Sequence, residues 1–240
     1  MNEKKNTTEN SKGLRRIGIR TILRIPLFII LPAVILLVSA GRIDIPRVWI
    51  YIGIISIYYP VIMTILYRIN PELITQRARG IRKDTKSWDK VLMPVAVIMV
   101  YIQLAIIGLD VGRFQWSSLG MHFALPGVIL YIIAAFFSSW SVITNPYYEP
   151  TVRVQKDRDH QVITTGPYKI VRHPGYVAAI IFPISISFII GSVIGLIPAA
   201  IIFLLIIIRT SLEDKTLINE LDGYSEYAKK TKYRLFPGVW

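Results

Sequence analysis

Between Asn145 and Tyr176 the sequence gathers side chains able to do polar chemistry. The runs are Asn145-Pro146-Tyr147-Tyr148-Glu149, Val152-Arg153-Val154-Gln155, His160-Gln161-Val162-Ile163-Thr164-Thr165-Gly166-Pro167-Tyr168 and Arg172-His173-Pro174-Gly175-Tyr176. Val152–Gln155 and Gln161–Thr164 are expected as short extended pieces, and Gly166-Pro167 marks a turn. Pro174 stands where a helix can begin, which would turn that helix's free N–H groups toward a ligand. A second set follows at Arg209 and Glu213, four residues apart, so one helical turn sets both on one face. Arg209 comes directly after an uninterrupted apolar run, where an ionisable residue is a functional candidate by default. Plainer readings stand beside these. Tyr168 and Tyr176 also suit aromatic anchors at a membrane boundary, Arg209 with Glu213 an ordinary helical ion pair, and His160 and His173 loop or cap contacts. The chain has three His and no Cys, which excludes disulfides, thiolate nucleophiles and Cys-ligated zinc, and no metal site is expected.

The elements that must position these residues are apolar. Of 240 residues, 53% are hydrophobic, too many for a soluble domain of this size. Six segments approach the roughly 20 residues of a helical crossing: Thr21–Ala40, Val48–Ile69, Val91–Leu109, His122–Ile143, Tyr176–Ile190 and Val193–Ile208. The fold class expected is all-α and polytopic, with about six transmembrane helices. The last two, joined at Gly191-Ser192, form a tight hairpin that Pro183 and Pro198 kink. Three regions follow: a basic arm over residues 1–20, four spans over 21–143, and a core over 144–240 holding the polar loop, the hairpin and a C-terminal helix.

Charge sets the orientation. The net charge is +13, and 25 of the 28 Lys and Arg fall in the N-terminal arm, the Arg68–Lys90 loop, the Arg153–Arg172 loop and the segment from Arg209 onward. Only Arg42, Arg47 and Arg113 fall on the other side, where with Asp44 and Asp110 they read as interface anchors. The excess places both termini and the polar loop in the cytosol, and the cell membrane of a prokaryote is the expected location. Attraction to anionic lipids accounts for the basic balance with no nucleic acid partner. The basic loop Asn70–Asp89 is expected to lie on the lipid surface as an amphipathic segment. Residues 1–13 are expected to be disordered, and Asn6-Thr7-Thr8 to match a glycosylation signal by chance. The stretch to Val38-Ser39-Ala40-Gly41 faintly resembles a cleavable signal, but its long polar lead favours an uncleaved helix.

Gly166-Pro167-Tyr168, then Arg172-His173-Pro174-Gly175-Tyr176, resembles the signature of the isoprenylcysteine carboxyl methyltransferase family, whose core phospholipid methyltransferases share. Its second half is similar too: Arg209, Glu213-Asp214, Leu217, Gly223-Tyr224, Glu226-Tyr227 and Arg234 to Pro237. Two departures stand out, Asp214 in the acidic pair and Asp222 where the family usually has an aromatic. The resemblance spans Asn145–Pro237 and implies S-adenosylmethionine as methyl donor. Carried across, the cofactor contacts are Gln155, His160, Gln161, Val162, Ile163, Tyr168, His173, Pro174, Gly175, Tyr176 and Glu213, with Arg209 at the substrate position. The implied acceptor is lipophilic and enters from the bilayer. A sulfonium donor suits the ring faces of Tyr168 and Tyr176, and Glu213 can accept from its amino or hydroxyl groups. Two other enzyme readings stay open: a small-lipid N-methyltransferase and a nicotinamide-dependent membrane reductase. A transporter or scaffold lacks the paired charges expected at a span centre.

Overall fold

The computed structural model describes residues 25–240. The N-terminal arm, the sequence-expected disorder, the Asn6 signal and the start of the first apolar segment lie outside them. The described chain is all-helical, with no strand among the described residues. The helices are α1 (Ile25–Ala40), α2 (Pro46–Ile69), α3 (Pro71–Ala78), α4 (Asp89–Gly108), α5 (Ala124–Thr144), α6 (Pro174–Ile190), α7 (Leu196–Glu220) and α8 (Tyr224–Lys230). Four are long and apolar enough to cross a membrane: α2, α4 with its π-helical extension to Phe114, α5 with the turn before it, and α7. α1 and α6 are apolar but shorter, with 16 and 17 described residues. At 1.5 Å per residue these reach about 24–26 Å, against a hydrocarbon core of about 30 Å. The chain is an integral membrane protein of several spans.

The expected hairpin of α6 and α7 is present, but α7 is longer than its apolar run. It continues three turns past Ile208 to Glu220 and carries Arg209, Glu213 and Asp214 on a helix anchored in the bilayer. Pro198 lies in the first turn of α7, where its missing N–H costs nothing, so it starts the helix rather than kinking it. Pro174 likewise opens α6. Gly191 closes α6 at φ +99°, a left-handed conformation that favours glycine, and an added Cβ would lie 2.4 Å from Arg47 Nη1. α5 packs closely on α6 because Gly127 brings the backbones together; a Cβ there would meet Ile189 N at 2.6 Å.

The charges read as interface anchors instead tie helix ends. Arg47 donates to the carbonyls of Ile189 (2.7 Å), Leu119 (2.5 Å) and Phe188 (2.5 Å), and Arg113 to those of Ser39 (2.8 Å) and Val38 (3.0 Å). The Val38 and Ser39 carbonyls end α1 and those of Phe188 and Ile189 end α6, where no later turn of the same helix supplies a donor; Leu119 lies in the loop before α5. Asp110 is fully buried, accepting from the Ser117 amide and from Ser117 and Ser192 hydroxyls. The Arg42–Asp44 pair is exposed, and so is Arg113. At the opposite pole the loops 70–88 and 145–173 and the C-terminal segment gather on one another.

The loop Asn70–Asp89 does not simply coat the lipid surface. Asn70 caps α3 by accepting from the Leu73 amide at 2.9 Å. Leu73 and Ile74 are then buried against Ile62, Leu66 and Val142. Packing against the protein wins because those apolar residues fall on the inward face. The loop pieces Val152–Gln155 and Gln161–Thr164 form no strand, since no ladder partner lies beside them. The polar groups of Val152 are met singly, its carbonyl by the Lys86 amide at 3.0 Å and its amide by Asp89 Oδ2 at 2.7 Å.

Candidate functional site

The C-terminal segment braces the polar loop from below. The amides of Arg172 and His173 each donate, at 2.9 Å, to the carbonyls of Tyr233 and Arg234. Tyr227 donates its hydroxyl to the Tyr168 carbonyl at 2.7 Å. At the centre lies Asp214, with no exposed surface, accepting from Arg172 at 2.8 and 2.9 Å, Arg234 at 2.8 Å and Tyr224 at 3.0 Å. His173 Nε2 is 3.2 Å away. His173 is therefore buried and held by a carboxylate, not a free loop histidine.

Above this brace a cavity of about 200 Å³ opens, and all twelve residues singled out from the sequence line it. Gln155 is turned away in part: its Nε2 donates to the Tyr147 carbonyl at 2.7 Å and its Oε1 accepts from Arg158 at 2.8 Å. His160 lies on the Tyr147 ring, centroids 4.4 Å apart, and its Nδ1 accepts from the Gln155 amide at 3.3 Å. Burial, with Arg153 and Arg158 nearby, pushes its pKa down to about 4, so it is neutral at pH 7. The Tyr168 hydroxyl accepts from Asn145 at 3.2 Å, and burial raises its pKa. Gln161, Val162 and Ile163 supply one wall; Pro174 and Gly175 begin α6 at another. A Cβ on Gly175 would lie 2.1 Å from the Tyr148 hydroxyl, so only glycine lets that phenol reach the helix start.

The Arg209–Glu213 pair read from spacing does not form. Glu213 accepts from the Tyr176 hydroxyl. Arg209 gives Nε and Nη2 to Asp89 at 2.7 and 3.0 Å and Nη2 also to the Pro150 carbonyl at 2.6 Å. Its guanidinium lies 5.3 Å from the Tyr176 ring centroid, and His173 stacks on the same ring at 5.7 Å. The Tyr176 ring is thus already engaged with an internal cation, whereas among the described residues no cation lies over Tyr168. Asp89 at the start of α4 offers Arg209 a bidentate carboxylate, while Glu213 is taken by Tyr176.

Asp89 and Asp214 carry the site's framework, and Arg77, Tyr148 and Glu149 also line the cavity. The signal for Asp89 was weak: it is a lone acidic residue opening an apolar span, and its partner is 120 residues away. A second cavity, of about 310 Å³, runs among α2, α4, α5, α6 and α7. Its walls are apolar and aromatic, with Tyr51, Tyr59, Val97, Tyr131, Phe182 and Ile202 among them. The two cavities share Pro150 and Arg209, which stand at the boundary between polar and apolar space. Among the described residues no cluster of His, Asp and Glu has metal-ligand geometry.

The model of the isoprenylcysteine carboxyl methyltransferase (ICMT) family matches residues 127–219, a segment holding all twelve residues. That match starts earlier than the sequence resemblance, in α5, and ends before Gly223–Pro237. Among solved structures the chain is similar to the eukaryotic intramembrane Ras methyltransferase ICMT, solved without a monobody. The TM-score is 0.53 at 16% identity, over 88% of this chain and 74% of that one. No curated protein matches. The family match runs from α5 through the polar loop and α6 into α7: residues 127–219 match the isoprenylcysteine carboxyl methyltransferase family.

Proposed function

We propose that the protein is a membrane methyltransferase that takes S-adenosylmethionine in the polar cavity and a lipophilic acceptor in the apolar one. The observation that carries this reading is Arg209 and Pro150 shared by the two cavities. A charged, water-soluble donor and a bilayer-borne acceptor need such meeting cavities of opposite character. The residues present fit the donor. Glu213 has one hydrogen bond and keeps capacity for an ammonium or ribose hydroxyl. Tyr168 lines the cavity and offers an aromatic ring to a sulfonium, and the first-turn amides of α6 suit a negative group.

S-adenosylmethionine supplies a methyl on a positively charged sulfur, an electrophile needing no metal and no redox partner. An acceptor lone pair, on oxygen or nitrogen, forms the new bond as the carbon–sulfur bond breaks with its electron pair left on sulfur. A carboxylate acceptor has no proton to remove, so the protein's part is alignment and exclusion of water. Arg209 positions the acceptor at the cavity boundary. Asp89 fixes the guanidinium there and leaves Nη1 without a protein partner among the described residues. The basic excess at the site pole supports a cytosolic site with both termini on that side, facing anionic lipids. The methyl acceptor is tested by incubating purified protein with methyl-tritiated S-adenosylmethionine and a bacterial lipid extract. Label passing into the organic phase, base-labile for an ester and base-stable for an amine, supports the reading. Label left in water with every extract refutes it.

A further inference from the structure

Four arginines line the polar cavity: Arg77, Arg153, Arg172 and Arg209. Three present the same guanidinium edge, Nε with Nη2, to a carboxylate. Arg153 meets Glu149 at 2.8 and 2.9 Å, Arg172 meets Asp214 at 2.8 and 2.9 Å, and Arg209 meets Asp89 at 2.7 and 3.0 Å. In each case two parallel hydrogen bonds neutralise a cation shielded from water.

Arg77 differs. It sits in the last turn of α3, held at that place by the burial of Leu73 and Ile74. Its Nη1 donates to the Tyr148 carbonyl at 2.8 Å, and its guanidinium lies 5.4 Å from the Tyr148 ring centroid. Nε and Nη2 have no partner among the described residues, neither is a fully buried atom, and Arg77 lines the cavity. Glu149, the carboxylate whose charge it feels, has both oxygens bound to Arg153. A partly buried guanidinium with its carboxylate-binding edge empty is costly in an isolated protein, and the cost is recovered when an anion binds.

We propose that Arg77 is the carboxylate-binding residue of the polar cavity. This rests on the methyltransferase reading and extends it to a residue outside the family match, contributed by α3. The carboxylate comes from one of two sources, the aminoacyl end of the donor or the acceptor itself. Arg209 cannot offer the same edge to either, because Asp89 fills it.

The test measures binding, not turnover, on the whole protein in lipid nanodiscs. The first pair of probes is S-adenosylhomocysteine and its decarboxylated analogue, which keeps the amino group. The second is hexadecanoate and hexadecanol. If the donor supplies the carboxylate, wild type prefers S-adenosylhomocysteine to the analogue by about 10–100-fold. Arg77→Gln then abolishes that preference while leaving the analogue's affinity unchanged, which also shows that the variant is folded. If the acceptor supplies it, Arg77→Gln spares both adenosyl probes and weakens hexadecanoate about 10-fold or more relative to hexadecanol. Should Arg77→Gln not fold, Arg77→Lys keeps the charge without the fork and shows the same selectivity change at smaller size. Unchanged selectivity in both pairs overturns the proposal. Wild type that binds no adenosyl probe refutes the methyltransferase reading instead, and the hexadecanoate pair alone then decides Arg77.

Discussion

Glu213 and Asp214 are adjacent carboxylates on α7, and the structure gives them opposite duties. Asp214 has no exposed surface and accepts five contacts, two of them from the fork of Arg172 and one from Arg234. Asp214→Asn keeps the shape but removes the one carboxylate that faces those two guanidiniums among the described residues. Breaking a buried pair by removing one partner costs about 3–5 kcal/mol. At about 2–4 °C per kcal/mol for a chain of this length, Tm should fall by roughly 6–20 °C. Among the described residues Glu213 has a single hydrogen-bond partner, the Tyr176 hydroxyl. Glu213→Gln loses about 1 kcal/mol, hence no more than about 4 °C. The assay is the melting temperature of purified protein with and without S-adenosylhomocysteine. Glu213→Gln should melt near wild type yet lose most of the ligand-induced rise; Asp214→Asn should melt low whatever is added. Equal shifts in the two variants, or Asp214→Asn within about 2 °C of wild type, would refute the division of labour.

Other outcomes follow from the same geometry. Arg209→Lys keeps the charge but not the fork to Asp89, so methyl transfer should drop about 10–100-fold while S-adenosylhomocysteine affinity holds. Ala179→Phe sends a ring into the apolar cavity; acceptor binding should be lost with donor binding intact, and loss of both would count against separate cavities. His160 has a folded pKa of about 4 against 6.5 for the free side chain. On acidification the unfolded chain therefore takes the proton first, so stability is full above pH 6.5 and falls from 6.5 toward 4. Comparing Tm at pH 7 and pH 5, His160→Gln should lose less than wild type; equal losses would mean His160 is not the group responsible. Reporter fusions at residue 1 and after Trp240 should both read cytosol, and opposite sides would contradict the charge argument.

Much of the site was legible because its signals are local. The turn at Gly166-Pro167, the helix start at Pro174 and the reach of one turn from Arg209 to Glu213 depend on neighbours in sequence. The twelve residues carried over from the family resemblance line one cavity. Partner choice was not legible. Spacing offered Glu213 to Arg209, but a buried Asp89 on another helix took its fork. Arg47 and Arg113 read as surface anchors, but the carbonyls they satisfy end helices far away in sequence. Arg77 was hidden for a related reason: the basic loop looked like a lipid-facing segment until Leu73 and Ile74 were seen to bury its helix against the core. Charges in this protein are placed by tertiary packing, which composition and periodicity do not report.

What the polar cavity binds decides between a methyltransferase and a membrane reductase. Titration of purified wild-type protein with S-adenosylhomocysteine and, separately, with NADPH tests this directly. Saturable S-adenosylhomocysteine binding that Glu213→Gln weakens, with no NADPH binding, is the result predicted. Saturable NADPH binding with none for S-adenosylhomocysteine would contradict the account and favour a membrane reductase.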